Sequence, residues 1–95
     1  MIECNSIDEV RNNINNIDEQ IVKLIAQRSE FVKQAAKFKK DSDDVKAPER
    51  VEEVINKVKD LAKSTSANEE VLENVYRTMI NSFIKAEMKE FEKLK

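Results

Sequence analysis

One repeat limits what this chain can become. From Ser6 to Lys39 the sequence keeps a seven-residue period. One row is Ile7, Ile14, Ile21, Arg28 and Ala35; the other is Val10, Ile17, Leu24, Phe31 and Phe38. Two such rows mark a helix with a single apolar seam. Ser6, followed three residues later by Glu9, is a capping box that places the helix start there. A helix over 6–39 measures about 50 Å at ~1.5 Å per residue. A compact monomer of 95 residues is only about 30–35 Å across. The first helix therefore overshoots its own domain, and a second copy covering the exposed seam is expected, as in a coiled coil or helical bundle.

The remainder reads as two further helices. Glycine is absent and the single proline is Pro48, which argues against strands and tight turns. The stretch 40–46 is polar and breaks the repeat, so it reads as a loop. Pro48 suits the first turn of a helix over about 48–63, with Val51, Val54, Ile55, Val58, Leu61 and Ala62 as its apolar face. Ser66 with Glu69 forms a second capping box, opening a helix over about 67–94 that carries Leu72, Val75, Tyr76, Met79, Ile80, Phe83, Phe91 and Leu94. The expectation is one all-α domain over 1–95 with three helices, the first very long.

Composition removes several function classes. Seventeen basic residues against nineteen acidic give a net charge of −2, without the basic excess a nucleic-acid partner needs. The aromatics (Phe31, Phe38, Tyr76, Phe83 and Phe91) are too few for a base-stacking platform. No run approaches 18 apolar residues and no signal peptide precedes Ser6, so a cytoplasmic protein without a membrane partner is expected. With no histidine, His-based triads and most zinc sites are excluded. Cys4 is single and reads as an idle thiol. Asp41, Asp43 and Asp44 lack the glycine and distal glutamate of a calcium loop, and read as a solvated loop. No metal is expected.

Two charges interrupt the apolar rows. Arg28 occupies a core position between Leu24 and Phe31, and its guanidinium cannot shed its charge, so burial without an anion costs several kcal/mol. Glu87 stands one turn from Phe83 and one turn from Phe91, where an apolar setting raises a carboxyl pKa. Two readings stay open: Arg28 pairs with Glu87 or snorkels to solvent, or the two serve a bound acidic ligand. Arg11 and Arg28 are 17 residues apart and share a face about 25 Å apart along the axis. One small ligand cannot touch both within one helix, whereas in an antiparallel dimer Arg11 of one chain can approach Arg28 of the other.

These residues carry a resemblance. The long first helix with Arg11, Arg28 and Lys39, and the segments Val10-Arg11, Ile17-Asp18-Glu19-Gln20-Ile21 and Leu24-Ile25-Ala26-Gln27-Arg28, are similar to the all-helical chorismate mutase family over nearly the whole chain. The resemblance implies an intertwined homodimer with two sites, each taking Arg11 from the partner chain. It implies that Arg28 and Arg50 hold the carboxylates of a small dicarboxylate substrate, and that Lys39 and Glu87 address its ether oxygen. The implied reaction is the pericyclic rearrangement of chorismate to prephenate, which needs no nucleophile, metal or cofactor. Charge separates in its transition state, and fixed cations and hydrogen-bond donors stabilise that state.

The chain departs from the mutase pattern in two places. Typical mutases carry acidic residues at the positions of Ala47 and Val51, where they help bind the ring hydroxyl of chorismate. The form Ala47-Pro48-Glu49-Arg50-Val51, preceded by Phe38-Lys39, resembles isochorismate pyruvate lyase on the same scaffold, which releases pyruvate from isochorismate and leaves salicylate. Both groups commonly carry Gln at the position of Glu87, where fungal mutases use Glu. Chorismate mutase is the first expectation and the lyase the second. A non-enzymatic helical interaction module comes last, because it explains the heptads but not Arg28 and Glu87 within them.

Overall fold

The first helix forms where its cap and its repeat coincide. In the computed structural model, which describes residues 2–94, α1 runs Ile7–Ala36 with Asp8 and Glu9 in its first turn and Lys33 in its last. Acids at the start and a base at the end complement the helix dipole. The Glu9 amide donates to Ser6 Oγ at 3.1 Å, and the Glu9 carboxylate accepts from the Asn5 amide at 2.8 Å. The return bond of the capping box thus falls one residue earlier than expected. The terminal residues of the expected 1–95 domain lie outside the described ones.

The helix stops three residues short of Lys39. The amides of Lys37, Phe38 and Lys39 donate to the carbonyls of Gln34, Ala35 and Ala36 at 3.0–3.3 Å. Bonds spaced by three residues tighten the last turn and end the α-helix. Phe38, which continues the heptad row in sequence, is 84 % exposed. Nor is 40–46 a plain loop: residues Ser42–Lys46 form a short helix α2. Asp41 caps it, its Oδ1 accepting from the Asp44 amide at 2.9 Å.

Two more helices complete the chain, α3 (Pro48–Ser64) and α4 (Glu69–Lys93). Without glycine, both sharp joints use other residues in the left-handed region: Ala47 (φ 37°) between α2 and α3, and Ser66 (φ 58°) after α3. At the second joint the Ala67 amide bonds the Ala62 carbonyl at 2.8 Å and the Ser66 amide bonds Lys63 at 3.4 Å. That is the Schellman pattern that normally favours glycine. Ser66 is thus spent on ending α3. The cap of α4 is Asn68, whose side chain accepts from the Val71 amide at 3.1 Å, so a single cap two residues on stands where the Ser66 box is expected.

The chain divides into two compact units, one ending at Phe31 and one beginning at Val32. In the first, the seam of α1 lies open: Ile7, Val10, Ile14, Ile17, Ile21, Leu24 and Phe31 are 37–69 % exposed. The second has its own core. Ile55, Val58 and Ala62 of α3 and Ile80 of α4 are buried, and Ala36, Val45 and Phe91 form a buried cluster with Ile84 and Met88 packed against it. Arg77 of α4 forks onto both carboxylate oxygens of Glu52 on α3 at 2.9 and 3.0 Å, and its Nε donates to Glu73 at 2.8 Å.

The joints make a measurable prediction. Asn68→Ala should cost about 1 kcal/mol through loss of a helix cap. Ser66→Gly should gain up to about 1 kcal/mol by relieving the left-handed backbone. Urea midpoints at one fixed protein concentration check both. A loss at Ser66→Ala with none at Asn68→Ala would return the cap to Ser66.

Candidate active site

In the second unit, the end of α1, the α2 segment and the start of α3 enclose an open cleft of about 720 Å³. Its walls include Ala35, Phe38, Lys39, Ala47, Pro48 and Arg50. Lys39 reaches it because the tightened turn after Ala36 ends the helix just before that residue. Arg50 reaches it because Ala47 turns the chain sharply and Pro48 starts α3 at once.

Lys39 is held from two sides. Its Nζ donates to the Asp44 backbone carbonyl at 3.1 Å and lies 3.9 Å from Glu87 Oε2. Glu87 is buried at 8 % exposure, and no hydrogen bond reaches its Oε2 among the described residues. Burial lifts the Glu87 carboxyl above the ordinary range, and the Lys39 ammonium opposes that shift without cancelling it. Burial favours the protonated form of this carboxyl, and only that form can donate a hydrogen bond.

The other expected site residues are placed less closely. Arg50 pairs with Glu53 one turn on, and both side chains are largely exposed. Arg28 is half-buried and Arg11 exposed on α1, both in the first unit. Of the two positions where acids are typical, Ala47 lines the cleft with Lys39 and Arg50, whereas Val51 lines a neighbouring one of about 520 Å³ beside Lys46, Asn81 and Lys85. Asp43, Asp44 and Glu49 also line the first cleft, so its own two cations do not make it electropositive.

One contributor escaped the sequence reading. Asp44 is exposed, as a solvated acid should be, but its Oδ2 also accepts from the Lys40 amide at 3.0 Å while its carbonyl holds Lys39. The signal was available: Asp41-x-x-Asp44 has the spacing of a helix cap. Among the described residues no cluster of His, Cys, Asp and Glu is arranged to hold a metal, and no helix is long and apolar enough to cross a membrane.

Glu87 makes a testable prediction about stability. A carboxyl whose folded pKa lies above its unfolded value contributes stability below the unfolded pKa. That contribution is lost as pH rises through the folded pKa. Glu87→Gln cannot ionise, so its stability should gain on wild type between about pH 4 and pH 8. Denaturant melts across that range check it, and a gap that stays constant would mean that Glu87 ionises as readily folded as unfolded.

Residues 10–88 match the family described as chorismate mutase type II, a span that includes Arg11, Arg28, Lys39, Arg50 and Glu87. The chain is also similar to the isochorismate pyruvate lyase of Pseudomonas aeruginosa, at 26 % identity over 87 residues, covering 92 % of this chain and 86 % of that protein. The all-helical architecture, the long first helix and the match over most of the sequence agree: the chain belongs to the chorismate mutase type II family.

Proposed function

We propose that the protein is a chorismate mutase, rearranging chorismate to prephenate without a cofactor. The observation that carries the reading is the pair of Lys39 and Glu87 beside the cleft, an ammonium against a carboxyl lifted by burial. In the proposed site both face the ether oxygen of the substrate. As the carbon–oxygen bond breaks, that oxygen gains negative charge. A fixed ammonium and a protonated carboxyl stabilise it more in the transition state than in the ground state. Nothing in this chemistry calls for a nucleophile, in keeping with a chain that has no histidine.

The substrate's two carboxylates need more cations than this cleft supplies. Arg50 is assigned to one and Arg28 to the other, with Arg11 delivered by the partner chain of a homodimer. Support for the dimer comes from the open apolar seam of α1, since a contiguous exposed apolar row marks a surface meant for a partner. A guanidinium suits the assignment because its planar fork matches a carboxylate bidentately.

A second reading, release of pyruvate from isochorismate to leave salicylate, is favoured by a specific observation. The cleft wall carries Ala47, and Val51 stands nearby, where the mutase pattern has acids that help bind the ring hydroxyl. Similarity to a protein named isochorismate pyruvate lyase points the same way. Offering each substrate separately and identifying the products decides between them. The mutase reading expects prephenate from chorismate as the faster product. Faster salicylate and pyruvate from isochorismate would replace it with the second reading, and Ala47→Asp with Val51→Glu should then shift preference back toward chorismate.

Assembly has its own test. Arg11→Ala and Arg28→Ala homodimers should each be nearly inactive. Mixed and allowed to exchange, they should recover roughly a quarter of wild-type sites, because each mixed dimer contains one site with both arginines. Light scattering should show a dimer. A monomer of 11.0 kDa, or no recovery on mixing, would remove the partner's role for Arg11.

A further inference from the structure

We propose that Asp44 is a positioning residue that holds the Lys39 ammonium at the cleft. The inference rests on the reading above that Lys39 addresses the substrate, and deepens it by naming what keeps that lysine in place.

Lys39 lies beyond the end of α1, in the segment before α2. A four-carbon side chain on a connecting segment has many rotamers, and holding it in one costs conformational entropy. Asp44 meets this lysine at two levels. Its Oδ2 takes the Lys40 amide at 3.0 Å, which fixes the backbone beside Lys39, and its carbonyl takes Lys39 Nζ at 3.1 Å. Asp44 is fixed in turn, because its own amide donates to Asp41 Oδ1 at 2.9 Å.

The three bonds form a small closed brace, Asp41 to Asp44 to Lys39-Lys40. The carbonyl is a neutral acceptor, so it orients the ammonium while leaving its charge available to a substrate. Glu87 Oε2, 3.9 Å away, is too far for a hydrogen bond to the ammonium. The brace, and not the Glu87 contact, therefore sets where the ammonium sits.

The test compares Asp44→Ala with Asp44→Asn. Asparagine removes the same charge but keeps an oxygen that can accept the Lys40 amide. Asn68→Ala serves as the structural control, a helix cap lost from the start of α4, where Asn68 bonds the Val71 amide. Asp44→Ala should lower kcat by about 10- to 100-fold, the scale of a misplaced catalytic group, with a smaller change in KM. Asp44→Asn should restore most of that loss, and Asn68→Ala should leave kcat near wild type despite lower stability.

A second readout needs no turnover. Glu87 is the carboxyl whose titration the Lys39 ammonium holds down. Carbon-13 NMR titration of Glu87, assigned by its loss in Glu87→Gln, should move to higher pH in Asp44→Ala than in Asp44→Asn, toward the value in Lys39→Met. A shared Glu87 midpoint in the two Asp44 variants would overturn the positioning role. So would equal losses of kcat in both, or an Asp44→Ala protein as active as wild type. If neither substrate is turned over by wild type while the Glu87 midpoints still separate, the positioning role stands and the reading of Lys39 as a substrate contact fails.

Discussion

The rest of the molecule depends on where the apolar seam of α1 goes. Seven large apolar side chains from Ile7 to Phe31 stand open along it. Covering each is worth about 1–2 kcal/mol at ordinary transfer energies. Over the row this approaches the about 5–15 kcal/mol that separates folded from unfolded for a typical domain. Left in water such a face forgoes that stabilisation, whereas the Val32-onward unit buries a core of its own. The two parts of the chain thus face different problems: one has solved its packing internally and the other has deferred it.

Much of this was legible in sequence because helices advertise themselves by period. The rows through Ile14 and Ile17 set α1, and the Ile55, Val58 and Ala62 spacing set the buried face of α3. Glu87 was legible as an acid within an apolar row. What periodicity does not carry is where a helix stops. Phe38 keeps the seven-residue beat, yet the chain has left the helix two residues earlier and the ring is exposed. The beat measures which residues would share a face if the helix continued, not whether it does. Ser66 misled for a related reason, since the same hydroxyl can open one helix or stand at the end of another. The left-handed turn that Ser66 makes leaves the cap to Asn68.

The charges divide by the company they keep. Arg77 lies between Glu52 and Glu73, and the hydrogen bonds to it lower both carboxyls. Lys59 reaches Glu73 as well, at 3.0 Å. This is an ordinary charge network that clips α3 to α4, with each ion matched. Lys39 and Glu87 are matched differently. Their separation of 3.9 Å and the burial of Glu87 leave the acid lifted by its surroundings instead of lowered by its partner. Proximity alone does not make a structural ion pair; the balance of desolvation against attraction decides, and here desolvation wins.

Ala47 ends α2 and begins α3 within a single residue. Two helices joined so tightly behave as one bent rod, and the bend cannot absorb a change in chain length. One inserted residue would turn α3 by about 100° relative to α2, carrying Arg50 away from the wall it shares with Lys39. A change of side chain at Ala47 leaves that frame in place, whereas a change of length at the joint does not.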